Sequence, residues 1–68
     1  MLQLYPMQLR PGDHVIDDDG EWEVVGGPEG IHGGKNERVW VQRSGDAGTK
    51  REMVMPAYTK IAVRRTKK

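Results

Sequence analysis

The 68-residue chain has no cysteine and no phenylalanine, and its aromatic set is two Trp and two Tyr. Without Cys there is no disulfide framework and no thiolate metal site, the usual reinforcements of so short a chain. Below about 80 residues a single core leaves only a few kcal/mol of margin, so one small domain spanning residues 1–68 is expected. No apolar run approaches the roughly 18 residues of a membrane helix, and the first residues lack the basic-then-apolar layout of a secretion signal. A cytoplasmic domain without membrane contact is the expectation. Charge of one sign is lacking too: eleven Lys and Arg stand against ten Asp and Glu, a formal net charge of +1.

What is present is uneven. Residues 1–23 hold one base, Arg10, against the acids Asp13, Asp17, Asp18, Asp19, Glu21 and Glu23. Residues 24–68 hold ten bases against Glu29, Glu37, Asp46 and Glu52, and five of those bases crowd the last nine residues. Separation of this kind makes a local field even where the total is small.

Hydrophobic alternation outlines short strands. Met1 to Leu9 alternates loosely, and Pro6 excludes a central strand there, so residues 1–10 read as an extended arm or an edge strand. Arg10-Pro11-Gly12-Asp13 is a turn. His14–Ile16 and Glu21–Val25 flank Asp17-Asp18-Asp19-Gly20, a hairpin signal. Residues 26–34 carry five glycines and a proline, which reads as a mobile loop rather than a strand or helix. Arg38–Arg43 places Val39 and Val41 on one face with Arg38, Trp40 and Gln42 on the other. Residues 44–48 read as a turn, Thr49–Met55 as a fourth strand, and Lys60–Arg64 as a fifth. Pro56-Ala57-Tyr58-Thr59 reads as a single helical turn before that last strand. No apolar i, i+3, i+4 pattern persists long enough for an α-helix. Five short strands spanning residues 11–63 suggest an all-β, strongly bent antiparallel barrel, in which closure removes exposed edges. Residues 64–68 form a basic C-terminal tail. Val15, Trp22, Val24, Val39, Val41, Val54, Ile61 and Val63 are the expected core, and the buried indole N–H of Trp22 needs a partner.

Gly12-Asp13-x-Val15, Asp19-Gly20-x-Trp22, Arg38-Val39-x-Val41 and Pro56-Ala57-Tyr58 occur in an order that resembles the SH3-like small barrels, above all their Tudor and KOW branches. The resemblance runs from about Leu9 to Val63. It implies a five-stranded SH3-like barrel with a short helical turn before the last strand, and a non-enzymatic binding role. Two departures limit it. The aromatic cage by which Tudor domains hold methylated side chains needs several rings, yet Gln42 to Gly48 contains none. The glycine expected of a KOW motif just after the first hairpin is missing until Gly26.

Candidate chemistry is sparse. His14 and His32 lack a nucleophile or a ligand set around them, so neither an enzyme nor a cofactor is expected. Asp17, Asp18 and Asp19 are consecutive at a tight turn and do not have the alternating oxygen spacing of a calcium loop. The glycine-rich segment precedes a strand rather than a helix, unlike a phosphate-cradling loop. Two binding readings remain. Arg38, Arg43, Arg51, Arg64, Arg65 and Lys67, with Lys50 and Lys68, form a basic stripe if the last three strands are adjacent, and Trp40 adds a stacking ring; DNA or RNA is then the partner. Alternatively a protein partner meets Trp40, Ile31 and His32 of the glycine-rich segment, and the acidic hairpin Asp17–Asp19. Leu2, Leu4, Tyr5 and Leu9 supply apolar surface beyond the core, and an arm of this kind either closes the barrel or crosses to a second subunit as a homodimer.

Overall fold

The computed structural model describes residues 1–65. The protein is all-β. Its strands are β1 (Leu2–Leu4), β2 (His14–Asp17), β3 (Gly20–Ile31), β4 (Asn36–Arg43), β5 (Asp46–Pro56) and β6 (Ile61–Arg64), with short 3-10 turns at Pro6–Gln8 and His32–Gly34. All six form one antiparallel sheet in the order β1-β6-β2-β3-β4-β5. The sheet is not closed, since β1 and β5 are its two edges, so neither the expected strand count of five nor full closure is observed. No helix among the described residues is long and apolar enough to cross a membrane.

The sixth strand comes from the arm. Pro6 stands at the start of a 3-10 turn, where a missing N–H costs nothing, and this frees Leu2–Leu4 to pair with β6 (Leu2 with Val63, Leu4 with Ile61). The arm thus lies as an edge strand on its own chain. The acidic hairpin forms where expected: Asp17 pairs with Gly20, and the Asp17 carboxylate accepts the Asp19 N–H at 2.8 Å. The tight turn between β4 and β5 is only Ser44-Gly45, and Asp46 already pairs with Arg43. Before β6 the expected helical turn is instead a hydrogen-bonded turn at 56–59, with the Thr59 N–H donating to the Pro56 carbonyl at 3.4 Å.

The largest correction concerns the glycine-rich segment. Residues 26–31 are not a loop but the second half of β3, with Gly26 opposite Trp40, Glu29 opposite Arg38 and Ile31 opposite Asn36. Register shifts on either side of Gly26 mark bulges, where an extra residue bends the strand. At Gly27 the backbone is left-handed (φ +86°), and a Cβ would stand 2.8 Å from the Arg38 carbonyl oxygen. Only glycine lets β3 approach β4 this closely.

Alternation then sorts the side chains. Leu9, Val15, Trp22, Val24, Val39, Val41, Met55 and Val63 form one buried cluster, with Leu4, Met53 and Ile61 packed against it. Residues from strands across the sheet share that single cluster, so the sheet curls around it and has an inner and an outer face. Burying each large apolar side chain contributes about 1.5–3 kcal/mol. Val54, expected in the core, is 46% exposed. It stands opposite Arg38 while Met53 stands opposite Val39, so β5 turns its methionines inward and its valine outward.

Candidate binding face

Trp40 is the exposed aromatic of the outer face. Its neighbours Val39 and Val41 are fully buried, so period-two alternation on β4 turns the indole outward, where it is 38% exposed. Across the sheet its partners are Gly26 on β3 and Glu52 on β5. Gly26 makes room for the ring: a Cβ there would lie 3.3 Å from Trp40 Cδ1. Two cations flank the indole, the Arg38 guanidinium at 6.0 Å and the Lys50 ammonium at 5.8 Å from its centroid. Val54 adds exposed apolar surface beside Arg38.

Arg38 is not free. Its guanidinium bridges Glu29 and Glu52, donating Nε–H to Glu29 at 3.0 Å and Nη1–H to Glu52 at 3.2 Å. Hydrogen bonding to Glu29 first, and then to Glu52, raises its pKa above the ordinary arginine value. The two bases and two acids around Trp40 therefore cancel. Farther along the same face, Glu21 pairs with Arg64 and lies 2.8 Å from His14 Nδ1. The Arg64 hydrogen bond is the main cause that lowers the Glu21 pKa, against a smaller opposing effect of desolvation.

Arg43 and Arg51 are on the other face. The alternation that turns Trp40 outward turns Arg43 inward, and Arg51 stands opposite the buried Val41. Both guanidinium groups lie over the Trp22 ring, at 3.8 Å and 4.1 Å from its centroid. Arg43 also donates to the carbonyl oxygens of Asp19 at 2.8 Å and Glu21 at 3.1 Å, which fastens the end of β4 to the acidic hairpin. Trp22 is 5% exposed, and its Nε1 has no hydrogen-bond partner among the described residues. The acceptor expected for its N–H is not present among the described residues, and the two cations lie on the ring face, where they do not accept it.

Arg65 makes a third, separate arrangement. Its Nε and Nη2 donate to the two oxygens of Asp13, each at 2.8 Å, and Nη2 also reaches the Gln8 carbonyl at 3.2 Å. Asp13 is 3% exposed and further accepts the Arg10 N–H at 2.9 Å. The Arg65 hydrogen bonds are the main cause holding the Asp13 carboxyl below the usual carboxylate range, while burial opposes them. The same pairing raises the pKa of Arg65.

The structure therefore does not gather the expected basic stripe. Arg38 and Trp40 share the outer face with Arg64, Arg43 and the half-exposed Arg51 lie over the Trp22 ring, and Arg65 clasps the turn before β2. Lys67 lies outside the described residues. The other expected set is also dispersed: Trp40 is mid-strand, Asp17, Asp18 and Asp19 lie at the hairpin between β2 and β3, and Ile31 and His32 at the far end of β3. His32 adopts a left-handed backbone (φ 53°), and its Nδ1 lies 3.0 Å from Asn36 Nδ2. Sequence reasoning set Lys50 in the same basic stripe as Trp40 but missed Gly26, Glu52 and Val54 as neighbours of the ring. A signal for Glu52 and Val54 exists in the β5 alternation, once Met53 rather than Val54 is assigned to the core.

No protein-family model matches the chain. No curated protein matches it, and no solved structure does either.

Proposed function

We propose that this chain is a non-enzymatic binding module that docks a protein segment on the outer face around Trp40. The observation that carries this reading is the charge-balanced surround of an exposed indole: Arg38 and Lys50 against Glu29 and Glu52, with Val54 alongside. Exposed Trp ringed by satisfied polar groups is the composition of an interface anchor. Backbone phosphates reward an unpaired cluster of cations, and here Arg38, Arg64 and Arg65 are each paired with a carboxylate. A complementary segment would offer an apolar residue to the ring.

The SH3-like reading of the fold belongs to the same proposal. Supporting it are the order of β2 to β6, the Asp-Gly hairpin and the hydrogen-bonded turn before the last strand. On that reading β1 is an addition to the five-stranded plan.

The test is panning of a displayed peptide library on the immobilised protein, followed by titration of a selected peptide at low and near-physiological salt. Binding is expected to survive the higher salt and to fail in Trp40→Ala. Peptides that bind Trp40→Ala equally well would refute it. Mixed-sequence DNA and RNA serve as the parallel arm, and salt-sensitive binding there that needs Arg38, Arg43 and Arg51 would favour the nucleic-acid reading instead.

A further inference from the structure

Strand β5 runs eleven residues along one edge of the sheet, whereas the other edge, β1, has three. Its sole strand partner among the described residues is β4. A long edge offers a row of N–H and C=O groups to any strand of suitable chemistry, so the side chains along β5 decide which strand that is. Those side chains are complementary to themselves. Reflected about Arg51 in an antiparallel pairing, Lys50 falls opposite Glu52, Thr49 opposite Met53, and Gly48 opposite Val54. Opposite residues in such a pair point to the same face. The two Lys–Glu contacts therefore form on the outer face, while threonine meets methionine on the inner one.

We propose that β5 is a self-association edge, at which a second copy of this chain adds its own β5 antiparallel about a two-fold axis at Arg51. The two sheets then run on as one, with the two Trp40 faces side by side. Three details favour this occupant. Lys50 has no ion pair among the described residues, so its ammonium is available to the partner's Glu52. Glu52 uses Oε2 for Arg38, which leaves Oε1 for the partner's Lys50. The exposed Val54 meets a residue without a side chain. The cost is at the axis, where two Arg51 residues meet and like charges directly opposite are unfavourable. Each guanidinium, however, is drawn back over its own Trp22 and lies 4.0 Å from its own Asp19.

The edge borders the Trp40 face at Lys50 and Glu52, yet the two readings fail separately: sedimentation of the protein alone tests the edge, and loss of peptide binding in Trp40→Ala tests the face. Sedimentation equilibrium of the full chain is expected to show a concentration-dependent dimer. Lys50→Glu and Glu52→Lys should each raise the dimer dissociation constant about tenfold, because each turns two facing attractions into repulsions. An equimolar mixture of the two variants should recover association, since every facing pair is then again opposite in sign. Lys50→Glu breaks no ion pair described within the chain, so it remains informative even if Glu52→Lys misfolds. Where the single variants fold, the double variant Lys50→Glu/Glu52→Lys should also dimerise like the parent, since its facing pairs are again opposite in sign. A parent chain that stays monomeric at the highest soluble concentration overturns the proposal. So does a dimer that Lys50→Glu leaves unchanged, or folded single variants whose mixture does not associate.

Discussion

Trp22 and Trp40 lie on opposite faces of one sheet, and each has two cations near its ring. At Trp22 the guanidinium groups of Arg43 and Arg51 lie about 4 Å from the centroid and the indole is buried; at Trp40 the cations stand near 6 Å and the ring is exposed. The difference follows from strand geometry. Trp22 points to the inside of the curl, where side chains converge and two guanidinium groups lie over the ring. Trp40 points outward, where they diverge, and its ring lies against Gly26. The same pair of residue types thus closes the core on one side and leaves a contact surface on the other.

That contrast can be broken in graded steps. Trp22→Ala removes the largest core side chain in a chain without Phe, and a loss of about 3–5 kcal/mol in urea unfolding is expected, enough to unfold a domain this small. Asp13→Ala removes a buried, charge-assisted network and should cost about 2–3 kcal/mol. Arg43→Met keeps the stem over Trp22 but loses the charge and two carbonyl contacts, with about 1 kcal/mol expected in the same assay. Trp40→Ala should cost no more than about 1–2 kcal/mol while abolishing peptide binding. If Trp40→Ala proves as damaging to stability as Trp22→Ala, the division of labour between the two faces is wrong.

Acid sharpens the comparison. Asp13 has a lowered folded-state pKa, chiefly through Arg65. Its contribution is therefore complete above the unfolded carboxylate pKa and is lost as pH falls through the folded value. Thermal midpoints should hold from neutral pH down to the ordinary carboxylate range and fall below it. Asp13→Asn should flatten that acid limb, and an unchanged limb would remove Arg65–Asp13 as its cause.

Much of this was legible from residue order. Alternation in His14–Ile16, Glu21–Val25 and Arg38–Arg43 placed three strands and the outward Trp40, and Asp19-Gly20 placed the hairpin. Residues 26–31 were not legible as strand, because glycine's local preference is for turns, whereas here a tertiary demand prevails: Gly27 must pass close to the Arg38 carbonyl, and Gly26 must lie beside an indole. Charge was half legible. The acidic first third and the basic remainder were plain in the sequence, but their register was not. The sheet brings Glu21 to Arg64, Asp13 to Arg65 and Asp19 to Arg51, so the separation along the chain becomes neutralisation in space. Alternation alone could have shown that Arg43 and Trp40 face opposite ways.

The most direct test of the account uses the two indole N–H resonances as internal reporters during titration of a selected peptide at low and near-physiological salt. The account predicts that the Trp40 signal shifts and saturates, that the Trp22 signal holds still, and that the affinity barely changes between the two salts. A stationary Trp40 signal, or a shift that disappears with added salt, would contradict it.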